Sequence, residues 1–147
     1  MLQSTAVYAL RPDGTDTGSF QITTPGTLTG VWVKDLVGMS SVAVDLRFAW
    51  GSGGQSVNAL LQSAMGPDGQ PYDVAQVTFT TAARAVLFEL FGGTNGFIAP
   101  GAGGMDSTGI PTAEGFLCPV LGDRLRLLLV VDGTYVNTTL TALVSPK

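Results

Sequence analysis

Hydrophobic and polar positions alternate with a period of two through SSVAVDLRFAW, residues 40–50. Val42, Val44, Leu46, Phe48 and Trp50 fall on one side, and Ala43, Asp45, Arg47 and Ala49 on the other. Successive strand side chains point to opposite faces, so this stretch predicts a half-buried antiparallel strand. The glycine-rich GSGG that follows predicts a turn into QSVNALLQS as its partner strand. DRLRLLLVV, residues 123–131, repeats the pattern with Leu125, Leu127, Leu129 and Val131 inward and Arg124 and Arg126 outward. It runs into Asp132-Gly133, a pair suited to the positive φ of a tight turn, which predicts a hairpin with TTLTALV. Pro-Asp-Gly at 12–14 and at 67–69 predicts two further turns, because proline presets φ at the turn's entry.

Applied along the chain, the pattern predicts strands over 5–10, 19–23, 28–34, 41–50, 55–63, 72–80, 84–91, 123–131 and 137–144. Strands of this length and spacing imply an all-β fold: a single domain over 1–147 forming an antiparallel two-sheet β-sandwich, jelly-roll-like. Residues 82–91 have a helix-compatible composition. Yet Val86, Phe88 and Leu90 alternate with Leu87 and Glu89, and a strand is the better reading.

One region has no period at all. Residues 92–122 begin GGTNGFIAPGAGGMDSTGIPTAEG and predict a long irregular Gly-rich loop or arm. Loops beyond about 12–15 residues are uncommon in compact domains unless functional or disordered. This one carries Phe97, Ile98, Met105, Phe116 and Leu117, which are out of place in a solvated linker. They are the candidate protein-interface residues, placed on an arm that docks onto a neighbouring subunit. Leu87, Leu128 and Val130 add to the case, since the alternation puts them on faces where polar residues are expected. Large exposed apolar patches mark interaction sites, so the chain is expected to form a symmetric homo-oligomer, a trimer ahead of a dimer.

Composition changes the functional picture mainly by exclusion. Of 147 residues only 12% are charged, 20 are glycine, and the net charge is −4. No basic run exists on which a phosphate backbone could be neutralised, so no nucleic-acid partner is expected. Leu127 to Val131 is the longest wholly apolar run, far too short to span a bilayer. Met1 to Leu10 lacks the charged and apolar regions of a signal peptide. With Cys118 as the single cysteine no intrachain disulfide can form, and a reducing compartment of synthesis is expected.

Candidate chemistry is sparse. There is no histidine, which removes the commonest general base and every histidine-containing nucleophile pair or metal site. Cys118 stands between Leu117 and Pro119 with no local base and reads as a small buried apolar residue. A Ser-Lys dyad would have to use Lys34 or Lys147. Glu89 and Glu114 are the only glutamates, and the nine aspartates fall mostly in turns. Asp13 and Asp16 are the least unlikely calcium ligands, but their spacing does not fit the calcium-loop pattern. Asn137-Thr138-Thr139 fits a glycosylation sequon and reads as a polar strand start. No catalytic residue, cofactor or metal site is assigned. The chain is expected not to be an enzyme.

Three stretches carry a resemblance: GVWVKDLVGMSSVAVDLRFAWGSGGQSV, SAMGPDGQPYDVAQVTF and GDRLRLLLVVDGTYVNTTLTALV. Together they resemble small β-structured virion proteins of tailed bacteriophages. The middle stretch is similar to an Asp-box-like hairpin, with Tyr72 where a tryptophan is usual and Gly66-Pro67 inserted before Asp68. The resemblance implies a capsid decoration (cement) protein, made in the bacterial host cytoplasm and carried in the virion. Its partner would be the major capsid protein or another virion protein. An acidic chain suits the outer face of a shell better than its DNA-filled inside. Two alternatives stand beside it: a neck or tail component, and a carbohydrate-binding or host-surface adhesion module using Trp32, Trp50, Tyr72 or Tyr135. Of these aromatics, Trp50 is in phase with a core face and is expected to pack there.

Overall fold

The computed structural model describes residues 7–10, 19–91, 115–116 and 121–147. Every regular element among them is a strand: β1 (Tyr8–Ala9), β2 (Phe20–Ile22), β3 (Gly26–Thr29), β4 (Ser41–Ala49), β5 (Ser52–Gly53), β6 (Ser56–Ala64), β7 (Tyr72–Phe79), β8 (Arg84–Phe91), β9 (Gly115–Phe116), β10 (Arg124–Asp132), β11 (Tyr135–Val136) and β12 (Thr138–Pro146). Residues 84–91 are strand, as the alternation predicts. Sheet A holds β1 and β2 against β12, followed by β4 and β8. Sheet B has the order β3-β10-β6-β7-β9, and β5 with β11 makes a short ribbon. All pairings among the described residues are antiparallel.

Apart from the short β5–β11 and β7–β9 pairings, the strands pair in a nested order along the chain. β1 and β2 pair with β12, β3 with β10, β4 with β8, and β6 with β7. Such a chain is one long double strand, and wrapping it into two layers brings β12 beside β4 and β10 beside β6. The apolar phases then meet between the layers. Val42, Val44, Leu46, Phe48, Leu140, Ala142 and Val144 of sheet A are buried against Val57, Leu61, Val77, Phe79, Leu125, Leu127 and Leu129 of sheet B. Phe48 stacks on Phe79 with centroids 4.9 Å apart and meets Tyr135 edge-on at 5.9 Å. Offset and edge-on ring pairs of this kind add about 0.5–1.5 kcal/mol beyond area burial.

Two expected hairpins are not formed. β6 is not the partner of β4, and β12 is not the partner of β10; in each case the two strands lie in opposite sheets. The turn chemistry was sound, since Gly53, Gly54 and Gly133 all have positive φ, at 73°, 77° and 85°. What the two turns do instead is pair with each other, through Tyr135 opposite Gly53 and Val136 opposite Ser52. Alternation shows which side of a strand is apolar but not which sheet it joins. By contrast Pro67-Asp68-Gly69 does close a hairpin, β6 to β7, with the Gly69 N–H donating to the Gly66 carbonyl at 3.3 Å. The turn expected at 12–14 lies outside the described residues.

Tyr135 ties this end of the sandwich together. Its N–H donates to the Thr23 carbonyl at 2.8 Å and its hydroxyl to the Thr80 carbonyl at 3.0 Å. Gly54 lies against its ring so closely that any Cβ there would strike the aromatic carbons. Burial, then the charge of Asp132, raises the Tyr135 phenol above its ordinary value of 10.0. Trp50 is not the packing residue that its phase suggested. The strand ends at Ala49, and Trp50 is exposed with its indole N–H donating to the Gly53 carbonyl at 3.0 Å.

The strand expected over 28–34 is broken. β3 stops at Thr29, and Gly30 comes so near β10 that a Cβ would meet the Leu127 oxygen at 2.5 Å. Pairing resumes only at Val33 opposite Leu125. From Thr29 to Val33 the chain advances one residue more than from Leu128 to Leu125, which is a bulge.

Candidate functional site

The densest polar constellation among the described residues lies on the outer side of sheet B. The register places Arg126 opposite Gln62 and Gln62 opposite Asp73. A bulge between Leu61 and Gln62 sets this alignment. Arg126 Nε donates to Gln62 Oε1 at 2.7 Å, and Gln62 Nε2 donates to Asp73 Oδ1 at 2.6 Å. The Arg126 guanidinium also lies over the Trp32 ring, 4.3 Å from its centroid. Burial lowers the Arg126 pKa while the Asp73 charge opposes that shift. A cation and a carboxylate are thereby joined through one amide across three strands.

The neighbouring row is also polar. Thr78 donates to Asn58 Oδ1 at 2.9 Å, and the Gln76 amide reaches Thr78 at 3.4 Å. Gln62, Asp73 and Gln76 are 2%, 2% and 4% exposed, and Leu60 in the same face is fully buried. Nearer the sandwich end, Asp123 Oδ1 accepts from Arg124 Nε at 3.0 Å and from the Gly66 N–H at 2.9 Å. The Arg124 hydrogen bond, with the Gly66 N–H, holds the Asp123 carboxyl down at about 2. Arg124 itself is buried, where the alternation placed it in solvent. Its guanidinium turns back to Asp123, its neighbour in sequence.

The link ties β10, β6 and β7 together across the outer side of the sheet. The one oxygen and the one nitrogen of the Gln62 side-chain amide each bond a strand neighbour. Among the described residues no group of three Asp, Glu, Cys or His side chains could hold a metal. An apolar void of about 10 Å³, touching Leu10, Val44, Ala59, Ala75 and Leu127, is too small for anything beyond one water and offers that water no partner.

The outer side of sheet A is different in kind. Ala43, Asp45 and Arg47 of β4 lie beside Glu89, Leu87 and Ala85 of β8. Arg47 pairs with Asp45 at 3.0 Å, and Leu87 is 78% exposed. Leu87 thus stands where the sequence placed it, whereas Leu128 and Val130 are half-buried. Of the five interface candidates, Phe116 lies on β9, opposite Ala75 of β7. Phe97, Ile98, Met105 and Leu117 lie outside the described residues, as do Asp13, Asp16 and Cys118. Among the aromatics, Tyr135 is core rather than surface, and Trp32 is half-buried under Arg126. The Arg126-Gln62-Asp73 link was not anticipated. Its residues read as ordinary outward positions, and only cross-strand register brings them together. No family model, curated protein or solved structure matches the chain.

Proposed function

We propose that the chain is a non-enzymatic structural subunit of a tailed-bacteriophage particle, a capsid decoration protein bound to the outer surface of the shell. The observation that carries this reading is the nested strand order. Nested pairing of this kind is in keeping with a jelly roll, an architecture frequent in viral capsid and lectin domains. The step from architecture to role is analogy and rests also on the sequence resemblance. In this reading the chain is made in the host cytoplasm, binds the major capsid protein or another virion protein, and needs no cofactor, nucleic acid or membrane. Many weak contacts repeated over a lattice hold each subunit. Quantitative mass spectrometry of purified particles tests it. Hundreds of copies per particle support decoration; a few copies move the chain to the neck or tail; absence from particles overturns the reading.

Adhesion to a glycan is the second reading, favoured by the exposed Trp50 at a loop-bearing end of the sandwich. A glycan array with the chain and its Trp50→Ala variant decides it, since a stacking tryptophan loses the signal on truncation.

A further inference from the structure

We propose that β8 is a self-association edge, through which two copies of the chain join sheet A to sheet A about a two-fold axis at Leu87. The two ends of the sandwich's sheets differ in a way that points there. β3, at one edge of sheet B, is four residues long, begins with Gly26, and is followed by the bulge at Gly30. Short, bulged edges discourage strand addition. β8 has none of these features. It runs eight residues in unbroken register with β4, from Ser41 opposite Phe91 to Phe48 opposite Arg84. Among the described residues no strand pairs with its outer side.

The second copy is favoured over other strands because the β8 face is complementary to itself. Rotation about an axis normal to the sheet keeps each side chain on its own face. A two-fold at Leu87 therefore sets Leu87 against the second copy's Leu87 and Ala85 against its Glu89. Ala85 is flanked on its other side by Arg47. The small Ala85 leaves Arg47 an open path to the opposing Glu89, two strand spacings or roughly 10 Å away between backbones. Arg47 already holds Asp45, so each half of the contact would bring one guanidinium between two carboxylates. The axis itself is apolar: the exposed Leu87 meets its own copy. An isologous contact of this kind closes as a dimer. It departs from the trimer expected from sequence, and it does not depend on the virion reading.

Sedimentation equilibrium of the full chain, from low to the highest soluble concentration, tests the proposal. A monomer–dimer equilibrium is expected. Leu87→Lys should weaken it about a hundredfold or more, since two ammonium groups would meet on the axis. Glu89→Arg and Arg47→Glu should each weaken it about tenfold, and the double variant should recover most of the loss. These positions are exposed, so melting temperature at dilution stays constant and reports that folding is intact. The register has its own readout in a Cys118→Ser background. Leu87→Cys should cross-link to its own copy on oxidation, and Ala85→Cys should not. A monomer at all concentrations, a trimer indifferent to Leu87→Lys, or equal cross-linking at 85 and 87 would overturn the proposal.

Discussion

The outer faces of the two sheets are built from similar residues and have opposite environments. On sheet A, outward Ala43, Asp45, Arg47, Ala85, Leu87 and Glu89 follow the simple rule of a half-buried strand and remain wholly or partly accessible. On sheet B, outward Leu60, Gln62, Asp73 and Gln76 are buried as deeply as the core. The outer side of sheet A is thus a surface that carries a nonpolar side chain, whereas that of sheet B has a buried zone around Gln62 that carries polar ones. Burying polar groups is costly unless they are hydrogen-bonded, and the Arg126-Gln62-Asp73 link meets part of that demand. An exposed Leu87 needs no such support.

Truncating one leucine on each face should separate the two most widely. Leu60→Ala is expected to cost about 2–5 kcal/mol, the range for emptying a packed site. Leu87→Ala should change stability by no more than about 0.5 kcal/mol. Urea unfolding, monitored at a concentration too low for association, reads both. Equal losses would mean that the sheets are not asymmetric. The polar groups give the next contrast. Gln62→Leu removes both bonds of the buried link and leaves its cation and carboxylate without their shared amide, an expected loss of about 2–3 kcal/mol. Asp45→Ala breaks only an exposed ion pair and should cost less than about 1 kcal/mol.

How far the sequence reached follows the same division. The inner faces of β4 and β10 were legible because one side of each is apolar without exception. Strand limits at 84–91 were legible for the same reason. The partners of those strands were not, since glycine turns at 51–54 and 132–133 fit a hairpin and a sheet-to-sheet corner equally well. Gln62 and Asp73 gave no signal at all. They stand eleven positions apart in the chain, and only the hairpin closed at Pro67-Asp68-Gly69, with its bulge at Leu61 and Gln62, makes them neighbours. Leu87 was legible as an anomaly, an apolar residue in a solvent phase. The four interface candidates at 97, 98, 105 and 117 remain expectations from composition.

Two arginine–aspartate pairs allow the finest comparison, because their closest contacts are equal and their surroundings are not. Arg47–Asp45 on sheet A and Arg124–Asp123 on sheet B both close at 3.0 Å. The Arg47 side chain is 68% exposed and that of Arg124 only 10%. Asp123 gains a further donor, the Gly66 N–H, and its carboxyl sits at about 2 against an ordinary 3.8. A carboxyl whose folded pKa is depressed favours the folded state above its unfolded pKa. That contribution is complete above about pH 4 and disappears as pH falls towards 2. Asp123→Asn, which keeps the shape but not the charge, should therefore be less stable than the parent chain at pH 7. The gap should close between pH 4 and pH 2, where the parent loses its advantage by protonation. Measuring both chains side by side cancels the other carboxylates that titrate in that window. Denaturation midpoints across the range give the curve, and a gap that persists unchanged at pH 2 would show that Asp123 acts through shape and hydrogen bonding alone. Asp45→Asn, tested in parallel, should show the smaller difference at pH 7, because water and salt screen its partner.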